Sequence, residues 1–134
     1  MKPTVLDASA LLAMFFGEPA VEEMRGLFHR ATAAGQPLLI TAVNWTEVLN
    51  RVLRRQGPAG MATVRLLATS GPLAIVAVDA ELAEIAAGYK AADRLALADA
   101  FAAALAKQRH ADLVTADREF KTVEKEIAVV WLKS

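Results

Sequence analysis

The stretch DLVTADREFK, residues 112–121, runs as an apolar strand through Leu113, Val114 and Thr115 and then breaks on an acid, Asp117. The stretch TVLDASALLA, residues 4–13, does the same, Val5 and Leu6 leading to Asp7. Continuous apolar runs of this kind mark strands covered on both faces, as in parallel sheets. Working outward, strand-like and helix-like segments alternate along the whole chain. Strands are predicted at residues 4–7, 38–43, 75–78, 113–116 and 127–132. Apolar spacings of three and four predict helices at about 9–16, 20–34, 45–55, 59–69, 80–91 and 97–109, with a short helix after Asp117. Gly35-Gln36-Pro37 and Gly57-Pro58 supply breaks. On the helix at 45–55 the spacing turns Trp45, Val48, Leu49, Val52 and Leu53 inward. The pattern predicts an α/β fold with three α/β/α layers around a mostly parallel five-stranded sheet, forming one domain over residues 1–134.

Composition narrows the chemistry. A chain that is 55% hydrophobic and 22% charged is expected to bury a core and not to remain disordered. The absence of cysteine excludes disulfides, thiolate metal sites and cysteine nucleophiles. No apolar stretch is long enough to cross a bilayer, since the longest, Leu66 to Val78, is interrupted by Ser70-Gly71-Pro72. An acid at position 7 argues against a secretory signal, so a cytoplasmic protein without a membrane partner is expected. Fifteen basic and fifteen acidic residues cancel, so any nucleic-acid contact must come from local clusters or bound cations.

In a parallel α/β sheet, ligands bind beyond the carboxyl ends of the strands. Asp7 and Asp117 both fall there. Glu47 and Asp99 fall at helix starts, which lie on the same edge. Each acid has an ordinary structural role open to it. Asp7 and Asp117 suit helix N-caps, and Glu47 and Asp99 suit the positive end of a helix dipole. Glu47 also stands four residues before Arg51, the spacing of a surface ion pair. Asp99, however, is the only charge between Arg94 and Lys107. Four carboxylates gathered in one cleft repel each other and raise their own pKa values unless a cation joins them. An oxygen-only donor set suits a hard ion such as Mg²⁺ or Mn²⁺.

The segments VLDASALLA, TAVNWTEVLNRV, LALADAFAAALA and LVTADREFK, in this order, resemble the PIN-domain ribonucleases, and in particular the VapC-like toxins of bacterial toxin–antitoxin pairs. The resemblance spans essentially the whole chain. It implies a PIN-like fold and an acidic centre of Asp7, Glu47, Asp99 and Asp117. That centre would bind one or two Mg²⁺ or Mn²⁺ ions and hydrolyse RNA phosphodiesters. Ser9, Asn44 and Thr115 match supporting positions, and Asp93 falls near a place where some relatives carry a further acid. The resemblance also implies a homodimer, a cognate antitoxin, and a structured RNA such as tRNA as substrate. Ala96 departs from relatives that carry a helix-capping serine at this place.

His29 and His110 pair with no nucleophile, which argues against Ser-His-Asp chemistry. Trp45 and Trp131 are expected in the core. Arg51, Arg54 and Arg55 read either as a solvated helix face or as phosphate contacts, and Arg118 and Lys121 have the same two readings. A phosphotransfer receiver would need an acidic pair near its first strand, and Asp7 has no acidic neighbour. An aspartyl phosphatase would need an acid where Ser9 stands. The alternatives within the fold are a catalytically silent interaction module and a housekeeping nuclease without an antitoxin.

Overall fold

In the computed structural model, which describes residues 1–134, five strands form a single sheet. They are β1 (Thr4–Leu6), β2 (Leu38–Thr41), β3 (Leu73–Val76), β4 (Asp112–Thr115) and β5 (Val129–Trp131). Their order is β3-β2-β1-β4-β5, and every neighbouring pair is parallel. The chain therefore fills one half of the sheet outward from β1, then crosses back to lay β4 and β5 on the other side. The carboxyl ends of β1 and β4 flank the point where the winding reverses, the usual place for a ligand in such sheets.

Five α-helices cover the sheet: α1 (Ala8–Phe15), α2 (Val21–Ala34), α3 (Ala42–Ser70), α4 (Ala80–Asp93) and α5 (Leu97–Arg109), with a 3₁₀ turn at Arg118–Val123. Successive strand residues point to opposite faces, so one strand feeds both layers. Leu6, Leu38, Ile40 and Val114 pack with α1, α2 and α3 in one core. Val5 and Leu113 pack with α4, α5 and Phe120 in the other. The alanines of α5 are almost wholly buried, their small side chains letting this helix lie close to the sheet and α4. No helix is long and apolar enough to cross a membrane.

Several boundaries differ from those predicted. The apolar run at 38–43 is strand only to Thr41, because the Thr41 side chain caps α3 and turns Ala42 and Val43 into its first turn. β3 lies at 73–76, not 75–78, since β2 offers it partners only from Leu38 to Thr41. β5 is confined to 129–131 by the length of β4, and Ile127 and Leu132 are buried just outside it. Leu53, expected inward, is 46% exposed. The break at Gly57-Pro58 is a sharp kink inside α3: Gly57 has φ 70° and ψ −165°, a backbone state that a side chain would strain.

Candidate active site

The end of β1 is built around Asp7, which is 2% exposed. It caps α1, Oδ1 accepting the Ala10 N–H at 3.1 Å. The Ser9 hydroxyl donates to the same oxygen at 2.7 Å, and the Thr115 hydroxyl donates to Oδ2 at 2.6 Å. Both hydroxyls also hold the far strand: Ser9 Oγ accepts the Ala116 N–H at 3.0 Å, and Thr115 Oγ1 accepts the Asp117 N–H at 2.9 Å. The ends of β1 and β4 are thereby latched together, which fixes where Asp117 leaves the strand. Asp117 in turn caps the 3₁₀ turn, Oδ1 accepting the Glu119 N–H at 3.0 Å. Capping and site-building are thus the same act for both aspartates.

The other two acids come from helix starts joined by one side chain. Thr41 Oγ1 accepts the Asn44 N–H at 3.0 Å and donates to Asn44 Oδ1. Asn44, 1% exposed, spends its amide on the Ala98 carbonyl at 3.0 Å. This bond ties the first turn of α3 to the first turn of α5, three residues before Glu47 and one before Asp99. The bond matters because Ala96 gives α5 no side-chain cap.

Asp7, Glu47, Asp99 and Asp117 all line one cleft of about 210 Å³, together with Ser9. Sequence reasoning missed Leu12, Phe16, Glu18 and Ala116, which also line it. Ser9, Leu12 and Phe16 stand three and four apart at the end of β1, so helical spacing alone could have put them beside Asp7. Asp93 is not brought to the cleft: it lies at the end of α4, beside a separate depression with Tyr89 and Glu126. Of the three clustered arginines, Arg51 lines the cleft and Arg55 stacks on Phe16, its guanidinium 4.2 Å from the ring centre. Arg54 does neither. The ion pair open to Glu47 and Arg51 is not formed, the only pairs being Lys2–Asp112 and Arg25–Glu22. Trp45 and Trp131 are half-buried against the two cores.

The electrostatics match the crowding. Burial pushes the Asp7 carboxyl up to about 6 despite hydrogen bonds from Thr115, Ser9 and Ala10, and the Asp117 charge adds to the rise. Asp99 is pushed up to about 7, first by burial and then by the charges of Asp117, Asp7, Glu47 and Glu119. Asp99 accepts no hydrogen bond and forms no ion pair. The acids line the cleft without drawing into a cluster of three that would hold an ion as they stand.

The PIN domain model matches residues 4–126 of the chain. The chain belongs to the PIN domain family. Solved structures similar to this PIN domain include DNA-bound VapBC from Salmonella typhimurium, with TM-score 0.79, 20% identity, and 97% of this chain and 98% of that one covered. A toxin–antitoxin complex from Klebsiella pneumoniae has TM-score 0.70, 20% identity, and 95% of each chain covered. VapC20 from Mycobacterium tuberculosis, a sarcin–ricin loop cleaving toxin, has TM-score 0.71, 18% identity, and 90% and 94% covered. No curated protein matches by sequence. At these identities the likeness is one of fold, and the five-stranded parallel sheet with helices on both faces is the PIN architecture.

Proposed function

We propose that this PIN domain is a metal-dependent endoribonuclease, the toxin of a toxin–antitoxin pair. The observation that carries the reading is the delivery of four carboxylates by four separate elements to one cleft at the sheet's reversal point. The donor set fits a divalent cation: every donor is a hard oxygen, and the raised pKa values of Asp7 and Asp99 mark a charge that a cation would offset. Mg²⁺ or Mn²⁺ held by Asp7, Asp99 and Asp117 with Glu47 would polarise a phosphoryl oxygen and acidify an attacking water. The chain's own residues do the remaining work. Ser9 and Thr115 hold Asp7 with both oxygens engaged, so its carboxylate cannot swing. Asn44 sets the spacing between Glu47 and Asp99. Glu47 is only half-buried and is free to orient or deprotonate the water at the cleft mouth.

Support for the toxin assignment comes from the fold neighbours, which include DNA-bound VapBC, a toxin–antitoxin complex, and VapC20, a sarcin–ricin loop cleaving toxin. An antitoxin that covers the cleft, a homodimer and a structured RNA substrate belong to the same proposal. The test is cleavage of total RNA and tRNA by wild type and Asp7→Asn, with Mg²⁺, with Mn²⁺ and with chelator. Metal-dependent cleavage lost in Asp7→Asn is expected. Cleavage that survives chelation, or full activity in Asp7→Asn, overturns the proposal.

A further inference from the structure

One side of the cleft differs in charge from the rest. Arg51 is the only base among the residues lining it, against five carboxylates. It makes no ion pair, although Glu47 stands one turn away on the same helix. A guanidinium left unpaired beside carboxylates keeps all five of its donors for something else. Arg55 follows one further turn along α3 and also makes no ion pair, its plane resting on the Phe16 ring that forms part of the cleft wall. Glu47, Arg51 and Arg55 therefore form a stripe at i, i+4 and i+8, successive members about 5–6 Å apart. The stripe leads from the acidic centre outward. Arg54, exposed on the same helix, neither lines the cleft nor stacks on Phe16.

We infer that Arg51 and Arg55 form a backbone track that seats the phosphates flanking the scissile one, with the Phe16 ring holding the Arg55 guanidinium in place. This inference rests on the nuclease reading of the cleft. A guanidinium suits a phosphate because its fork matches two oxygens at once. Resting on the Phe16 ring, the Arg55 guanidinium keeps its N–H edges for a phosphate. The placement also accounts for a formally neutral protein acting on a polyanion: the attraction is confined to one helix face at the mouth of the cleft. A strand lying along this face would be held in register, so the track governs substrate positioning and not the chemical step.

The test compares Arg51→Gln and Arg55→Gln with Arg54→Gln, a charge-matched control on the same helix. All three side chains are exposed, so folding is retained and is checked by thermal unfolding. KM and kcat are measured on a fluorogenic single-stranded RNA. Binding of a fluorescein-labelled RNA is followed by anisotropy across salt concentrations in an Asp117→Asn background, where cleavage is suppressed. Arg51→Gln is expected to raise KM about tenfold with kcat within about twofold, the loss of one charged hydrogen-bonded contact. It should reduce the slope of log affinity against log salt by about 0.7, as one lost phosphate contact on a single strand does. Arg51→Lys should restore the slope, and Arg55→Gln should show a smaller effect in the same direction. An Arg51→Gln variant indistinguishable from Arg54→Gln overturns the track while leaving the nuclease intact, as does one that loses kcat at unchanged KM. Wild type that binds RNA but cleaves none overturns the nuclease reading, with the slopes still deciding the track. Wild type that binds no RNA overturns both.

Discussion

Asp7→Asn should make the metal-free protein more stable while abolishing its activity. Asp7 is buried with its pKa raised from 3.8 to about 6, so the folded chain at neutral pH carries a charge it resists. That difference corresponds to about 3 kcal/mol of stability withheld once the group is ionised. Asparagine caps a helix as well as aspartate. Its carbonyl can still accept from Ala10 and Ser9, the donors to Oδ1. Its amide faces Thr115, whose hydroxyl now donates to Oδ2 and would have to turn. Losing that bond and the charge–dipole attraction costs about 1 kcal/mol. The net gain is about 2 kcal/mol, or roughly 5–8 °C in Tm for a chain of this size.

The pH dependence of that gain identifies its cause. A carboxyl whose folded pKa is raised favours the folded state below its unfolded pKa and loses that contribution as pH climbs through the folded value. For Asp7 the window runs from 3.8 to about 6. The ionisation relief in the asparagine variant should therefore be full at about pH 8 and fall to about 0.5 kcal/mol at about pH 4, where the cost of about 1 kcal/mol outweighs it. The assay is thermal unfolding of both proteins in chelator at several pH values. A variant no more stable than wild type at pH 8, or an advantage unchanged by pH, would refute the reasoning.

Three further outcomes are expected. Adding Mn²⁺ or Mg²⁺ should raise the Tm of wild type, more at pH 8 than at pH 5 because the ligands must be ionised. Asp7→Asn and Asp99→Asn should lose most of that rise, and calorimetric unfolding reads both. Asn44→Ala should cost about 2–3 kcal/mol, since it removes a buried side chain bonded to both Thr41 and Ala98. It should also lower kcat by loosening Glu47 against Asp99, as chemical denaturation and turnover assays would show. Thr115→Val should raise the Asp7 pKa further, by removing its closest donor and leaving the Asp117 N–H without an acceptor. The acid limb of the pH–rate profile should then move to higher pH, with about 1–3 kcal/mol of stability lost.

The alternation of apolar runs with helical spacing made the layered sheet legible in the sequence. Asp7 and Asp117 could be placed at its carboxyl edge because the breaks in those runs are sharp. What periodicity could not show was where a run changes structure without changing polarity. Ala42 and Val43 extend an apolar strand in sequence, yet the hydroxyl of Thr41 makes them helix. Leu73 and Ala74 join β3 because β2 pairs with them, a long-range fact absent from the local pattern. Leu53 fits the inward spacing of α3 but projects outward. The site shows the same division. Four acids on one edge could be read from strand and helix ends. The separation of Asp93 from them depends on the reach of α4, and the choice of Arg51 among three arginines depends on how far along α3 the cleft extends. Phe16 enters the wall through the course of α1, which no charge pattern marks.

The central claim is that four carboxylates and a divalent cation direct a water against an RNA phosphodiester. Mass spectrometry of the RNA ends left by single-turnover cleavage tests it most directly, with Mn²⁺ present and with it chelated. Attack by water predicts Mn²⁺-dependent products carrying a linear monophosphate and a free hydroxyl. Products bearing a 2′,3′-cyclic phosphate, or the same ends formed under chelation, would contradict it.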